Sequence, residues 1–180
     1  MRRKMMYLMG GFRLLKEFLW SGGKLKLSGY KYYLGKNVKI NTENGGKCYL
    51  GKKTWLSDNT YFSANGGDIV LGYNNFFNSN CKLVAKAGIT VGDNNLFGPN
   101  VVAFDNDHNY ENLEMLICKQ GYTVAKIEIG SDIWIGANVT ICKGVRICDH
   151  VVVGANSVVT KSITEPGVYA GVPARKIKSI

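Results

Sequence analysis

Ile129-Gly-Ser-Asp-Ile-Trp-Ile-Gly-Ala-Asn-Val-Thr-Ile141 repeats a six-residue unit: a β-branched aliphatic residue, then glycine. The same step continues through Ile147, Val153 and Val159. A second series, offset within the unit, runs Ile133, Val139, Val145, Val151, Ser157 and Ile163. A beat of six matches neither the 3.6-residue period of a helix nor the two-residue alternation of one long strand. It fits a chain that makes a short strand, turns and repeats. If each hexad forms one side of a triangular coil, about eighteen residues complete a turn and equivalent side chains stack inside.

The first residue of each unit then points inward and must be aliphatic. The second must be small, because adjacent coil backbones approach closely there. Asn138 and Asn156 fall at turns, where Asn tolerates left-handed backbone angles. Upstream the beat continues with interruptions. Leu50, Leu56 and Phe62 give one coil; Leu71, Phe77 and Leu83 follow after three extra residues; Val91, Phe97 and Ala103 follow after a slip of two. Gly51, Gly72, Gly92 and Gly98 hold the small position. About four coils are legible this way, and Leu34-Gly35 reads as the start of an earlier, degenerate one. The expected fold is all-β, a parallel β-helix over 34–180, with a helical cap over 1–33 and a C-terminal tail. Between Ala103 and Ile129 the pattern vanishes. The insertion 104–126 is too long for a corner and reads as a loop ejected from a rigid scaffold, where chemistry tends to sit.

With 180 residues, 46% hydrophobic and 20% charged, the chain is neither disordered nor collagen-like. No apolar stretch reaches the twenty or so residues a bilayer span needs. The net charge of +10 fits attraction to nucleic acid, anionic lipid or a phosphorylated small molecule, or simple solubility. No nucleic-acid-binding module is recognisable. Five Cys, with no zinc-type C-x2-C pair, read as reduced thiols of a cytoplasmic protein. An amphipathic helix is expected from Leu8 to Trp20, weakened by Gly10 and Gly11. It suits covering one open end of the coil. Arg2, Arg3, Lys4, Arg13 and Lys16, beside Phe12, Leu15, Phe18 and Trp20, also suit peripheral contact with the inner face of an anionic membrane.

Three blocks carry a family resemblance: Ile129 to Ile141, Val153-Gly-Ala-Asn-Ser-Val-Val-Thr-Lys161, and Tyr169-Ala-Gly-Val-Pro-Ala-Arg-Lys-Ile177. They resemble the hexapeptide-repeat acyltransferases, within these the maltose and galactoside O-acetyltransferases and the sugar O-acetyltransferases of polysaccharide synthesis. The resemblance covers roughly Leu71 to Ile180. It implies a left-handed helix, although the general crossover rule favours the right hand. It also implies a homotrimer with active sites between subunits, acetyl-CoA as donor, a saccharide or other small-molecule acceptor, and no metal.

The chain has two His. His108 opens the ejected loop in Phe104-Asp-Asn-Asp-His-Asn-Tyr110. A sugar hydroxyl is almost un-ionised at neutral pH, so acyl transfer to it needs a base, and neutral imidazole suits that work. The family's catalytic His lies at the matching loop start, so His108 is the expected general base. Asp105, Asp107, Glu111 or a backbone carbonyl would hold its second ring nitrogen. His150, at a turn of a regular hexad, reads as an exposed corner residue. A gamma-type carbonic anhydrase shares the architecture but needs three His.

By resemblance, Lys161, Arg175 and Lys178 reach the CoA phosphates, with Thr160 beside them. Trp134 lies along the pantetheine arm; burial against a neighbouring subunit is the alternative. The amides of Ala137 and Ala155 donate along the thioester and pantetheine, the first of them also to the oxyanion. Gly171 and Pro173 cover the adenine end. On the acceptor side stand Asn78, Asp105 and Tyr110. Direct transfer is expected rather than an acyl-cysteine route, since Cys142 and Cys148 read as small packing residues and Cys118 has no evident base. A sugar N-acetyltransferase and a non-catalytic β-helix scaffold remain as alternatives.

Overall fold

A computed structural model describes residues 2–180, with side chains from Met9 onward. The side chains of Arg2, Arg3 and Lys4, invoked above for membrane contact, lie outside the described residues. The chain forms a left-handed parallel β-helix of about six turns. Three parallel sheets make its faces. The first runs from Leu25–Ser28 through Cys48–Gly51, Ile69–Leu71, Ile89–Val91 and Ile127–Ile129 to Arg146–Ile147. The second starts at Tyr33–Leu34 and the third at Lys39–Glu43.

Register makes the six-residue beat into vertical ladders. Leu71, Val91, Ile129 and Ile147 align on the first face. Leu34, Leu56, Phe77, Phe97, Ile135 and Val153 align on the second. Ile40, Phe62, Leu83, Ala103, Ile141 and Val159 align on the third. All are buried. Phe77 and Phe97 stack at 4.2 Å between ring centroids, a geometry set by their one-coil spacing. Glycine recurs where backbones nearly touch. A Cβ at Gly51 would collide with the carbonyl of Gly72, and one at Gly136 would lie 2.5 Å from the Ala155 amide nitrogen.

The first coil begins earlier than expected. Leu25 is already in register with Cys48, inside the segment assigned to the cap. The helix, α1, spans Arg2–Trp20 and so also starts earlier than its apolar pattern implied. It seals the open N-terminal edge. The Arg13 guanidinium donates to the Leu34 carbonyl at 3.0 Å, and the Ile40 amide donates to the Glu17 carboxylate at 2.9 Å. Gly10 sits at the contact, where a Cβ would come within 3.2 Å of Leu34 N.

One corner carries an asparagine ladder. Asn37, Asn59, Asn80, Asn100, Asn138 and Asn156 all have φ between 53° and 64°. Each of the first five donates its side-chain amide to the carbonyl oxygen of the next. The ejected segment is a β-hairpin: Asn106–His108 pairs antiparallel with Tyr122–Val124, and a 3-10 turn spans Ile117–Lys119. At its root the buried Asp105 carboxylate accepts the amides of Lys86, Ala87 and Gly88 at 2.6–2.7 Å. That clamp ties the hairpin to the corner of the preceding coil.

Candidate active site

His108 stands on the hairpin strand leaving the third face, opposite Tyr122 in register, with ring centroids 4.3 Å apart. The Lys86 ammonium lies 4.3 Å from the Tyr122 ring centroid. A cleft of about 660 Å3 opens here, lined by Asp107, His108, Tyr110, Glu111 and Lys143 among others. Lys143 Nζ lies 3.1 Å from Asp107 Oδ2 across its floor. Thr123 donates to Asn109 Oδ1 at 2.6 Å, and Asn109 donates to the Gln120 carbonyl, so the hairpin is braced internally. Cys142 directly precedes the lining residue Lys143. Burial pushes its thiol up, Asp107 adds to that and Lys143 opposes it. A thiol held protonated is a poor nucleophile.

Tyr110 lines this cleft, but Asp105 does not. Its oxygens are engaged by three corner amides in the interior, so neither substrate contact nor orientation of His108 falls to it. A short Asp-Asn-Asp-His motif looks like one polar cluster in sequence, yet only Asp107 and His108 face the cleft.

The residues expected around the donor, together with Asn78 from the acceptor side, separate into two groups. Asn78, Ala137 and Ala155 share the corner between the second and third faces. The Asn78 and Gly98 amides donate to Phe97 and Ile135, which stacks that corner coil on coil. Along this corner the Lys36 amide is capped by Asp58 and the Ser79 amide by Asn78, and position 99 is proline. The Ala137 and Ala155 amides have no acceptor among the described residues. Trp134 is exposed on the adjoining face. The 171–174 turn closes over the top, with Gly171 N bonded to Ser157 Oγ and Ala174 N to the Val158 carbonyl. Pro173 lies in that turn, and Arg175 begins the returning strand Arg175–Lys178.

Thr160 and Lys161 stand elsewhere. Ile141 and Val159 are in register, so Lys161 lies one coil beyond Lys143, on the corner that bears His108. The third face separates the two groups within one chain. Lys178, on the outer strand, pairs with Val168 of the second face. His150 is an exposed corner residue with φ 59°, its Nδ1 2.6 Å from Asp132. No group of three or more His, Cys, Asp or Glu able to hold a metal lies among the described residues.

One feature escaped the sequence reading. Tyr33, Trp55, Phe76, Leu96, Trp134 and Val152 are in register and point outward on the second face. Each directly precedes an inward rung, so the same step would have found them. Tyr33 and Trp55 stack at 4.0 Å between centroids.

Residues 126–161 match the bacterial transferase hexapeptide family (six repeats). The chain is 39% identical to the galactoside O-acetyltransferase of Escherichia coli K12 over 131 residues, covering 73% of this chain and 63% of that one. A maltose O-acetyltransferase from Clostridium difficile 630 superposes with a TM-score of 0.60 at 32% identity, covering 83% of this chain and 71% of the other. A galactoside acetyltransferase solved in complex with coenzyme A gives 0.60 at 35% identity, covering 79% and 66%. The chain thus spans less than two thirds of the length of the Escherichia coli protein.

Proposed function

The chain belongs to the family of bacterial hexapeptide-repeat transferases, and from that premise we propose that it is an acetyl-CoA-dependent sugar O-acetyltransferase with His108 as general base. The observation that carries this reading is the pair of unsatisfied amides at Ala137 and Ala155, beside exposed Trp134 and under the 171–174 turn. Ala137 is half-buried, where a backbone N–H normally has an acceptor, and the Ala155 N–H one coil on is open to solvent. Two in a column, flanked by an aromatic ring, suit a thin amide-bearing chain such as pantetheine. The galactoside enzyme solved with coenzyme A supports that choice of donor.

In the proposed reaction His108 takes the proton of an acceptor hydroxyl as its oxygen attacks the acetyl carbonyl. The Ala137 amide meets the oxyanion, and CoA thiolate leaves and is protonated. No enzyme-bound acyl intermediate is invoked. Lys161, Arg175 and Lys178 supply cations for the phosphates. Asn78 and Tyr110 flank the acceptor.

His108 and the amide column sit at opposite ends of the third face, so one chain holds two half-sites. Joining the column of one copy to the hairpin of the next is a head-to-tail contact, which closes into a ring when the rotation permits. The outward apolar ladder on the second face supplies a surface for such packing. A homotrimer with shared sites is therefore part of the proposal, as is a cytoplasmic location.

Coenzyme A should raise the melting temperature of the protein, and a scaffold without a donor site would show no shift. Acetyl transfer to galactosides, maltose and amino sugars then sorts O- from N-acetylation. Loss of both the shift and the transfer would end this reading.

A further inference from the structure

The net charge is concentrated in the first third of the sequence. Residues 1–60 contain thirteen Lys and Arg against three Asp and Glu, whereas residues 61–180 contain ten of each. In the first turn exposed lysines occur on two faces and at two corners: Lys26 and Lys39 on the first and third faces, Lys31 and Lys36 at the corners between. Glu43 is the only acid in that turn. Beneath this ring lies α1, whose inward side is Gly10, Leu14 and Glu17. Its single acid, Glu17, is engaged by the Ile40 amide.

The opposite side of α1 is apolar and uncovered. Phe12 is 67% exposed, Leu15 54% and Leu19 68%, at the i, i+3, i+7 spacing that puts them on one stripe. Trp20, 84% exposed, and Phe18 flank the stripe, with Lys16 beside it. A helix that seals a fold needs apolar residues on one side only. This one carries a second set facing away.

We propose that this end of the molecule docks on an anionic lipid bilayer, with α1 lying in the interface plane, its Phe12–Leu15–Leu19 stripe in the acyl boundary and the lysine ring against the headgroups. Charge decides among occupants. A second copy meeting the same end would bring like charge onto like charge, whereas phosphate headgroups complement it. α1 is about 10–12 Å across, so the ring lies on the order of one Debye length from the surface that the helix would touch. No described helix is long and apolar enough to cross a membrane, so the contact is peripheral. The proposal is independent of the catalytic reading.

The test is sedimentation of the full chain with vesicles of phosphatidylcholine alone or with phosphatidylglycerol at three parts in ten. The expected result is binding to the mixed vesicles and little to the neutral ones. Phe12→Ser with Leu19→Ser should weaken binding at least tenfold, and Lys26→Glu with Lys39→Glu should do the same. Thermal unfolding of each variant verifies that the coil is intact. Equal binding to neutral vesicles, or none to anionic ones, overturns the proposal. So does anionic binding that ignores the apolar substitutions and is competed by double-stranded DNA, which would mark a polyanion site instead. A changed oligomeric state in the Phe12 and Leu19 variant without vesicle binding would assign the stripe to a second copy.

Discussion

Gly67→Ala should destabilise the protein by far more than a methyl group ordinarily does. A Cβ at Gly67 would stand 2.5 Å from Gly88 N, 2.6 Å from Ala87 C and 2.7 Å from Ala87 N. All three are backbone atoms, and they cannot step aside, because the Asp105 carboxylate holds the Ala87 and Gly88 amides at 2.7 and 2.6 Å. Relief requires parting two coils or breaking the clamp at the root of the His108 hairpin. Overpacking typically costs 1–3 kcal/mol, and a collision with fixed backbone belongs at the top, about 3 kcal/mol. For a chain of this size that lowers Tm by about 6–12 °C. Gly11→Ala is the matched control. Nothing lies within 4 Å of its Cβ, and it sits inside α1, so the same exchange should stabilise by about 1 kcal/mol. Thermal unfolding followed by circular dichroism, at fixed protein concentration, reads both. A Gly67→Ala protein that melts within a degree of the parent would refute the close-packed corner.

Replacing His108 with Ala should cut turnover at least a hundredfold while leaving the CoA-induced thermal shift in place. Trp134→Ala should raise KM for acetyl-CoA more than it lowers kcat, as steady-state kinetics would show. Asp105→Asn removes the charge from a buried carboxylate that satisfies three amides; a loss of about 2–4 kcal/mol in denaturant unfolding is expected, with faster hydrogen exchange in the hairpin. The Lys176 ammonium, 2.9 Å away, holds the Glu165 carboxyl below its usual range. Because the folded value is depressed, the support this pair lends the tail is present above the ordinary carboxylate range. It is lost as pH falls through the lowered value. Corrected for the intrinsic slowing of exchange in acid, the protection of amides over 167–178 should therefore fall at low pH, and Glu165→Gln should abolish that fall.

The inward ladders were readable because each rung depends on local chemistry repeated at a fixed step. Where the turn lengthens, the reading thinned. The asparagine column runs Asn37, Asn59, Asn80, Asn100, Asn138, Asn156, with intervals that change at nearly every step, so only its last two members stood out. Only the first face of the first coil falls within the segment read as the cap, for the same reason: Leu27 is followed by Ser28 where the paired Leu50 is followed by Gly51. Asp105 shows the other limit. Its partners are about nineteen residues upstream, and only register brings them under it. Thr160 and Lys161 belong to the same sequence block as Ala155, yet a whole face lies between them and the amide column. Adjacency in the chain concealed a division that the coil imposes.

That division is most directly tested by mixing. His108→Ala keeps an intact amide column, and Ala155→Trp fills the column but keeps His108. Each assembly alone should be inactive. Co-expressed one to one, random rings should place an intact hairpin against an intact column in about one quarter of sites, restoring that share of activity. Activity that stays at the level of the separate variants would contradict a site shared between neighbouring copies.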